Sequence, residues 1–240
     1  MLQSRPMADR LIFLASNSPR RRQLLSLTGL AFQVWPADID EARLAGEAPR
    51  AYVLRLAQSK ARALQARLGT SSAPPGAASG RTVSFIIAAD TIVVAGEDIL
   101  GKPENPADAR RMLRQLRGRE HQVYTALAVI SLASDKLLTD MCVTRVPMRR
   151  YTDGEIDDYV ATGDPMDKAG AYAIQHVGFH PVESLAGCFA SVMGLPLCHL
   201  ARTLRQLDLD LAVDVPGACQ ADLHYDCPVS AQILAWKQVE

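Results

Sequence analysis

Ser16, Ser18, Pro19 and three consecutive arginines, Arg20, Arg21 and Arg22, stand between an apolar run at residues 11–15 and a helical pattern from Arg20 to about Thr28. Unpaired N–H groups at a helix N-terminus favour an anion, and hydroxyls with guanidinium forks sharpen that preference toward phosphate. Positive charge at that end opposes the helix dipole, at a cost of about 0.3–1 kcal/mol per charge, so a merely capped surface helix leaves the arginines unexplained. Successive residues turn about 100° around a helix, so one or two of the three arginines are expected to face a ligand and the rest solvent. A second group is Asp90-Thr91 inside FIIAADTIVV. A bare buried carboxylate costs several kcal/mol, so Asp90 must be paired, hydrogen-bonded or bound to a metal. Sheet-end carboxylates that hold a divalent ion or activate water are common in enzymes that transform phosphates.

Other charges gain meaning only in combination. Asp38, Asp40 and Glu41 fall in one polar loop, Lys60 on a helix, and Lys102 in a GKP turn. Taken singly, each reads as a solvated surface charge. The stretch Asp167-Lys168-Ala-Gly170-Ala-Tyr172-Ala-Ile-Gln175 offers small residues for close backbone approach, with a charge, an aromatic face and a base-reading amide. It reads equally as a tight Gly/Ala packing site. No GxxxxGK[ST] occurs, and no GxGxxG follows a strand, which disfavours a Walker A loop and a dinucleotide-binding fold.

The elements that must position these residues alternate. Residues 11–15 and 31–35 read as strands, and 20–28 as a helix stopped at Gly29. Residues 49–68 carry Tyr52, Val53, Leu56, Ala57, Lys60, Ala61 and Leu64 at helical spacing. Residues 69–80, rich in Gly, Pro and Ser, read as a surface insertion without chemistry. An apolar strand follows at 83–95, a turn at 97–103, and a helix from Pro106 to Leu116. Two strands joined by ASDK form a hairpin. A helix at 152–162 is capped by Thr152 or Asp153, and a buried run at 185–197 leads to a last helix near 196–207. This pattern predicts an α/β fold with a mixed sheet.

Composition bounds the function. The chain has 240 residues, 48% apolar and 22% charged, which excludes intrinsic disorder. With 26 basic and 26 acidic residues, it lacks the net basic field of a non-specific nucleic-acid or anionic-membrane binder. No apolar run reaches the roughly 18–20 residues of a membrane span. Residues 1–10 lack the apolar segment of a signal peptide and read as a disordered lead-in. Five cysteines, an odd number, read as reduced thiols of a cytoplasmic protein.

Taken together the motifs resemble the Maf family of nucleotide pyrophosphatases. LASNSPRRRQLL, DIDE, YVLRLAQSKARA, AADTIVV, ILGKP, HQVYTALAV, DKAGAYAIQ and VMGLPL occur in the family's order across about residues 11–207. The resemblance implies a two-lobed mixed β-sheet with flanking helices and a cleft between the lobes. It implies hydrolysis of a nucleoside triphosphate between the α- and β-phosphates, a divalent cation (Mg²⁺ or Mn²⁺), and a homodimer, which is common in such proteins. By the same resemblance Ser16, Arg20 and Arg21 bind phosphate. Glu41 and Asp90 hold the metal, with Asp90 also accepting the proton of the attacking water. Lys60 and Lys102 neutralise phosphate charge. Lys168, Thr91 and Gln175 contact substrate, the last two setting base preference. The sequence from Lys168 to Gln175 resembles the dTTP/UTP branch. The same reaction on purine or methylated guanosine triphosphates, or a nucleotide-binding regulator of septum formation, are the alternatives. Cys188 stands where the family usually has Ser, and a thiol is the weaker hydrogen-bond partner. Residues 208–240 extend beyond the usual family end. Their Cys219, His224 and Cys227 lack standard zinc spacing and a clear fourth ligand, so the expectation is a packed segment with incidental cysteines.

Overall fold

The computed structural model describes residues 10–70 and 82–235. The expected lead-in and the Gly/Pro/Ser-rich stretch lie outside them, apart from Arg10, Gly69 and Thr70, which fall in regular elements. The chain runs β1 (Arg10–Leu14), α1 (Pro19–Ser26), β2 (Phe32–Val34), α2 (Pro49–Thr70), β3 (Thr82–Ala95), β4 (Asp98–Leu100), α3 (Pro106–Leu116), β5 (Glu120–Ser131), β6 (Lys136–Pro147) and α4 (Asp153–Ala161). Two short 3-10 turns (Asp164–Asp167 and Ala169–Ala171) precede α5 (Phe189–Met193), α6 (Leu197–Arg205), α7 (Val215–Leu223) and α8 (Ser230–Ala235).

The strands form one open mixed sheet in the order β2-β1-β3-β5-β6, with β4 added on β3. β1 pairs in parallel with β2 and β3, while the β3, β5 and β6 ladders are antiparallel. Helices flank the sheet, as expected. The register leaves a gap that matters. β1 accompanies β3 as far as Ile87, and β4 meets it from Val93. Among the described residues, no strand lies beside residues 88–92 on that edge. Asp90 and Thr91 sit in this gap, while β5 covers their other side.

Strand alternation assigns the faces. Ile86, Ala88, Ile92 and Val94 of β3 join an apolar cluster with Val53, Ala57, Ala61 and Leu64 of α2. Phe85, Ile87 and Ala89 join a cluster on the opposite face, under Leu24 and Leu25 of α1 and Leu200 and Leu204 of α6. A third cluster fills the far half, where Val93, Val123 and Val146 meet Leu113 of α3 and Tyr159 of α4.

Two expectations needed correction. The segment at 97–103 holds the strand β4, whose three residues are too few to show a period. The helix at 197–205 is not the last, since α7 and α8 follow it; the C-terminal segment, expected to be packed, does pack on the core. Val215 is buried in the α6 cluster, and Cys219, Leu223 and Leu234 pack against it. Tyr225 Oη donates to Leu185 O at 2.8 Å and Gly187 O at 2.9 Å. Among the described residues, no helix is long and apolar enough to cross a membrane.

Candidate active site

At the start of α1, Ser18 caps the helix, its side chain accepting from Arg21 N at 3.4 Å, and Pro19 fills the first turn. Arg21 turns inward. Its Nε donates to Gly194 O at 2.8 Å, Nη1 to Ser16 Oγ at 3.2 Å and Nη2 to Thr91 Oγ1 at 3.1 Å. Thr91 Oγ1 lies 3.0 Å from Thr125 Oγ1, which donates to Ser191 O at 2.8 Å. One direction satisfies the chain: guanidinium to Thr91, Thr91 to Thr125, Thr125 to a carbonyl. Gly194 adopts φ +108°, and a Cβ there would sit 3.3 Å from both Arg21 Nε and Thr91 Oγ1. Burial lowers the pKa of Arg21, and the Asp90 carboxylate partly offsets it. Arg20 lines the same cleft; Arg22 is solvent-exposed.

On the other sheet face, Lys60 occupies the apolar stripe of α2 with Val53, Leu56, Ala57, Ala61 and Leu64. Its ammonium lies 2.7 Å from Glu41 Oε1 and also contacts Asp90 Oδ1 directly. Lys60 and Asp90 are buried, whereas the Glu41 side chain is 56% exposed. Two carboxylates thus converge on one ammonium. Burial would push the Glu41 carboxyl up, but Lys60, with Lys102 and Arg21, holds it below the usual carboxylate range.

The opposite wall comes from the 3-10 turns. Lys168 Nζ donates to Asp164 O at 2.5 Å, Asp164 Oδ1 at 2.9 Å and Asp167 Oδ1 at 2.6 Å. Its charge is therefore matched within its own loop. Gly170, at φ +71°, donates its N–H to Gly101 O at 3.0 Å, and a Cβ there would sit 3.0 Å from Val93 Cγ2. The glycine of the DKAGAY run is thus a point of close backbone approach to β3. Tyr172 Oη pairs with the buried His121 Nε2 at 2.8 Å. Lys102 and Gln175 are exposed at the rim.

These walls enclose a cleft of about 750 Å³. Ser16, Arg20, Arg21, Glu41, Lys60, Asp90, Thr91, Lys102, Lys168 and Gln175 all line it, whereas Asp38 and Asp40, singled out beside Glu41, do not. Asn17, Arg43 and Tyr52 line it too and were missed. For Tyr52 a signal existed: with Leu56 and Lys60 it follows i, i+4, i+8 spacing, one face of α2. Cys188 is buried ahead of α5 and does not line the cleft. All five cysteines are free thiols.

A family model described as Maf-like protein matches residues 11–207. The chain belongs to the Maf family. A relative from Anaeromyxobacter dehalogenans named dTTP/UTP pyrophosphatase is 48% identical over 212 residues, spanning 88% of this chain and 100% of its own length. Relatives of the same name from Geotalea uraniireducens and Methylobacillus flagellatus are 45% and 43% identical, spanning 82% and 86% of this chain and 94% and 95% of theirs.

Whether this Maf protein's acids suit a divalent ion can be read from the donor set. Glu41 and Asp90 bring hard oxygen donors to one point, the Lys60 ammonium. Among the described residues, no group of three or more His, Cys, Asp or Glu could hold a metal. Two carboxylates are only a partial donor set, of the kind a hard cation such as Mg²⁺ uses when it completes its shell with water and phosphate oxygens.

Proposed function

We propose that the chain hydrolyses dTTP and UTP between the α- and β-phosphates, releasing the nucleoside monophosphate and pyrophosphate. The observation that carries this reading is the single cleft with Glu41, Lys60 and Asp90 on one side and the α1 N-terminus with Arg20 and Arg21 on the other. The names of the relatives support the pyrimidine preference.

The residues divide the work as follows. The α1 N-terminus and Ser16 receive the polyphosphate, and Arg20 and Arg21 neutralise it. Lys102, exposed at the rim, adds a cation that can follow the leaving pyrophosphate. Asp90 accepts the proton of the attacking water. The Lys60 ammonium on its Oδ1 orients that carboxylate and leaves Oδ2 for water. Glu41 and Asp90 would hold Mg²⁺ or Mn²⁺, which supplies electrostatic stabilisation to the phosphate oxygens. Dependence on a divalent metal is general among Maf pyrophosphatases. Phosphoryl displacement needs mainly positioning and charge, which this set supplies. Gln175, at the cleft wall, reads the base edge with its donor–acceptor amide.

The test is release of pyrophosphate from UTP, dTTP, GTP and 7-methyl-GTP, with chelator and after Mg²⁺ or Mn²⁺ is restored. The reading requires preference for UTP and dTTP and loss of activity in chelator. Preference for the guanine nucleotides would overturn the substrate assignment, and full activity in excess chelator the metal assignment.

A further inference from the structure

Glu41 is the most exposed member of the acid–ammonium–acid group, and it rides on the loop between β2 and α2. An exposed glutamate on a loop has several rotamers and a mobile backbone to fix before its carboxylate has a defined place. This loop is fastened to α2 at the peptide groups of Glu41 and its neighbour. Tyr52 Oη donates to Glu41 O at 2.8 Å, and Arg55 Nη2 donates to Ala42 O at 2.9 Å. The Arg55 fork also grips Glu47, with Nε to Oε1 at 2.7 Å and Nη2 to Oε2 at 2.8 Å. Glu47 Oε2 accepts Leu44 N at 3.2 Å, and its carbonyl accepts Arg43 Nε at 2.9 Å and Nη2 at 2.6 Å. Asp40 Oδ1 closes the other end, accepting Ala42 N at 2.8 Å.

The donors that hold residues 41 and 42 therefore stand on the same helix as Lys60, one and two turns before it. The Arg55–Glu47 pair is half-buried, and together with Tyr52 it concentrates the bonds of α2 on one short loop that carries Glu41. The geometry points to Tyr52 and Arg55 as positioning residues: they lock the loop to α2, so that the Glu41 carboxylate arrives beside Lys60 and Asp90 in a fixed relation. This inference rests on the reading of Glu41 as a metal ligand. Partners that orient a metal-binding carboxylate typically alter metal affinity 10–100-fold when removed.

The experiment measures Mn²⁺ affinity of the full chain by electron paramagnetic resonance of free Mn²⁺, in the presence of α,β-methylene-UTP, a non-hydrolysable analogue. Tyr52→Phe keeps the ring and removes the bond to Glu41 O. Arg55→Gln and Glu47→Gln break the fork. Each should weaken Mn²⁺ affinity about tenfold, with the thermal midpoint and the helical circular dichroism of the parent chain retained. Glu41→Gln is the control. If it weakens Mn²⁺ binding and the three loop variants do not, the positioning role is wrong while the metal reading stands. If Glu41→Gln leaves Mn²⁺ affinity unchanged, the metal reading itself fails. A thermal midpoint that falls together with affinity in Tyr52→Phe would mark a structural role and overturn the proposal.

Discussion

Asp90 and Thr91 are consecutive in β3, yet the pleat turns them to opposite faces of the sheet, Asp90 onto Lys60 of α2 and Thr91 onto Arg21 of α1. Both lie where β1 has ended and β4 has not begun, so the open edge of β3 exposes both faces to one cleft. Two adjacent residues thereby couple a carboxylate that faces the acid–ammonium side with a hydroxyl that braces the anion-binding side. A shift of register by one residue would exchange the two.

Asp90→Asn keeps the shape of the side chain but removes the proposed proton acceptor. Turnover should fall on the order of 10²–10⁴-fold in a chain that still folds but is less stable, because Lys60 keeps only Glu41 as its charge partner. Stopped-assay kinetics beside urea unfolding measure both. Near-normal turnover in the variant would transfer the role to Glu41 or Asp40.

Lys60 and Asp90 form a buried ion pair, so removing one partner strands the other. Lys60→Met should destabilise the chain by about 3 kcal/mol, and by clearly less when made in the Asp90→Asn background. Urea unfolding of the four chains gives the coupling energy. Equal costs in both backgrounds would show that the contact contributes nothing.

His121 is buried with its Nε2 on Tyr172 Oη, and burial lowers its pKa from 6.5 to about 4. Between those values the unfolded chain binds a proton that the folded chain refuses. Stability should therefore rise with pH from about 4 to 6.5, by about 3 kcal/mol in total. Urea midpoints across this window, compared with those of His121→Gln, isolate the contribution. An identical slope in the variant would assign it elsewhere.

Much of this was legible in the sequence because local signals and chemistry agreed. Ser18-Pro19 marked a helix start, and a lone Asp inside FIIAADTIVV had to find a partner. Lys60 fell among the apolar positions of α2, yet taken singly it read as a solvated surface charge, and its burial against Asp90 came only with the structure. The ion-pair geometry was not legible. Whether Lys60 meets phosphate or carboxylate depends on the β3 register against α2, which no local pattern carries. Likewise Lys168 could not be known to satisfy itself on Asp164 and Asp167, because a 3-10 turn of four residues leaves no periodic trace. Arg21 was expected at the phosphate, and its bonds to Gly194 and Thr91 come from elements remote in the chain.

Gln175 lines the cleft with an exposed amide that can both donate to and accept from a uracil-type edge. Gln175→Glu loses the donor and sets a carboxylate against the base carbonyl. The kcat/KM ratio of UTP to GTP should fall at least about tenfold, because a site built to hydrogen-bond a substrate group discriminates when that pairing fails. An unchanged ratio would remove Gln175 from base selection.

The proposed reaction is cleavage of a pyrimidine nucleoside triphosphate at its α–β linkage with Asp90 as proton acceptor. The most direct measurement is chromatographic identification of the products formed from UTP by the parent chain and by Asp90→Asn. UMP and pyrophosphate should appear in equal amounts from the parent chain and almost not at all from the variant. UDP with inorganic phosphate, or equal rates from the two chains, would contradict it.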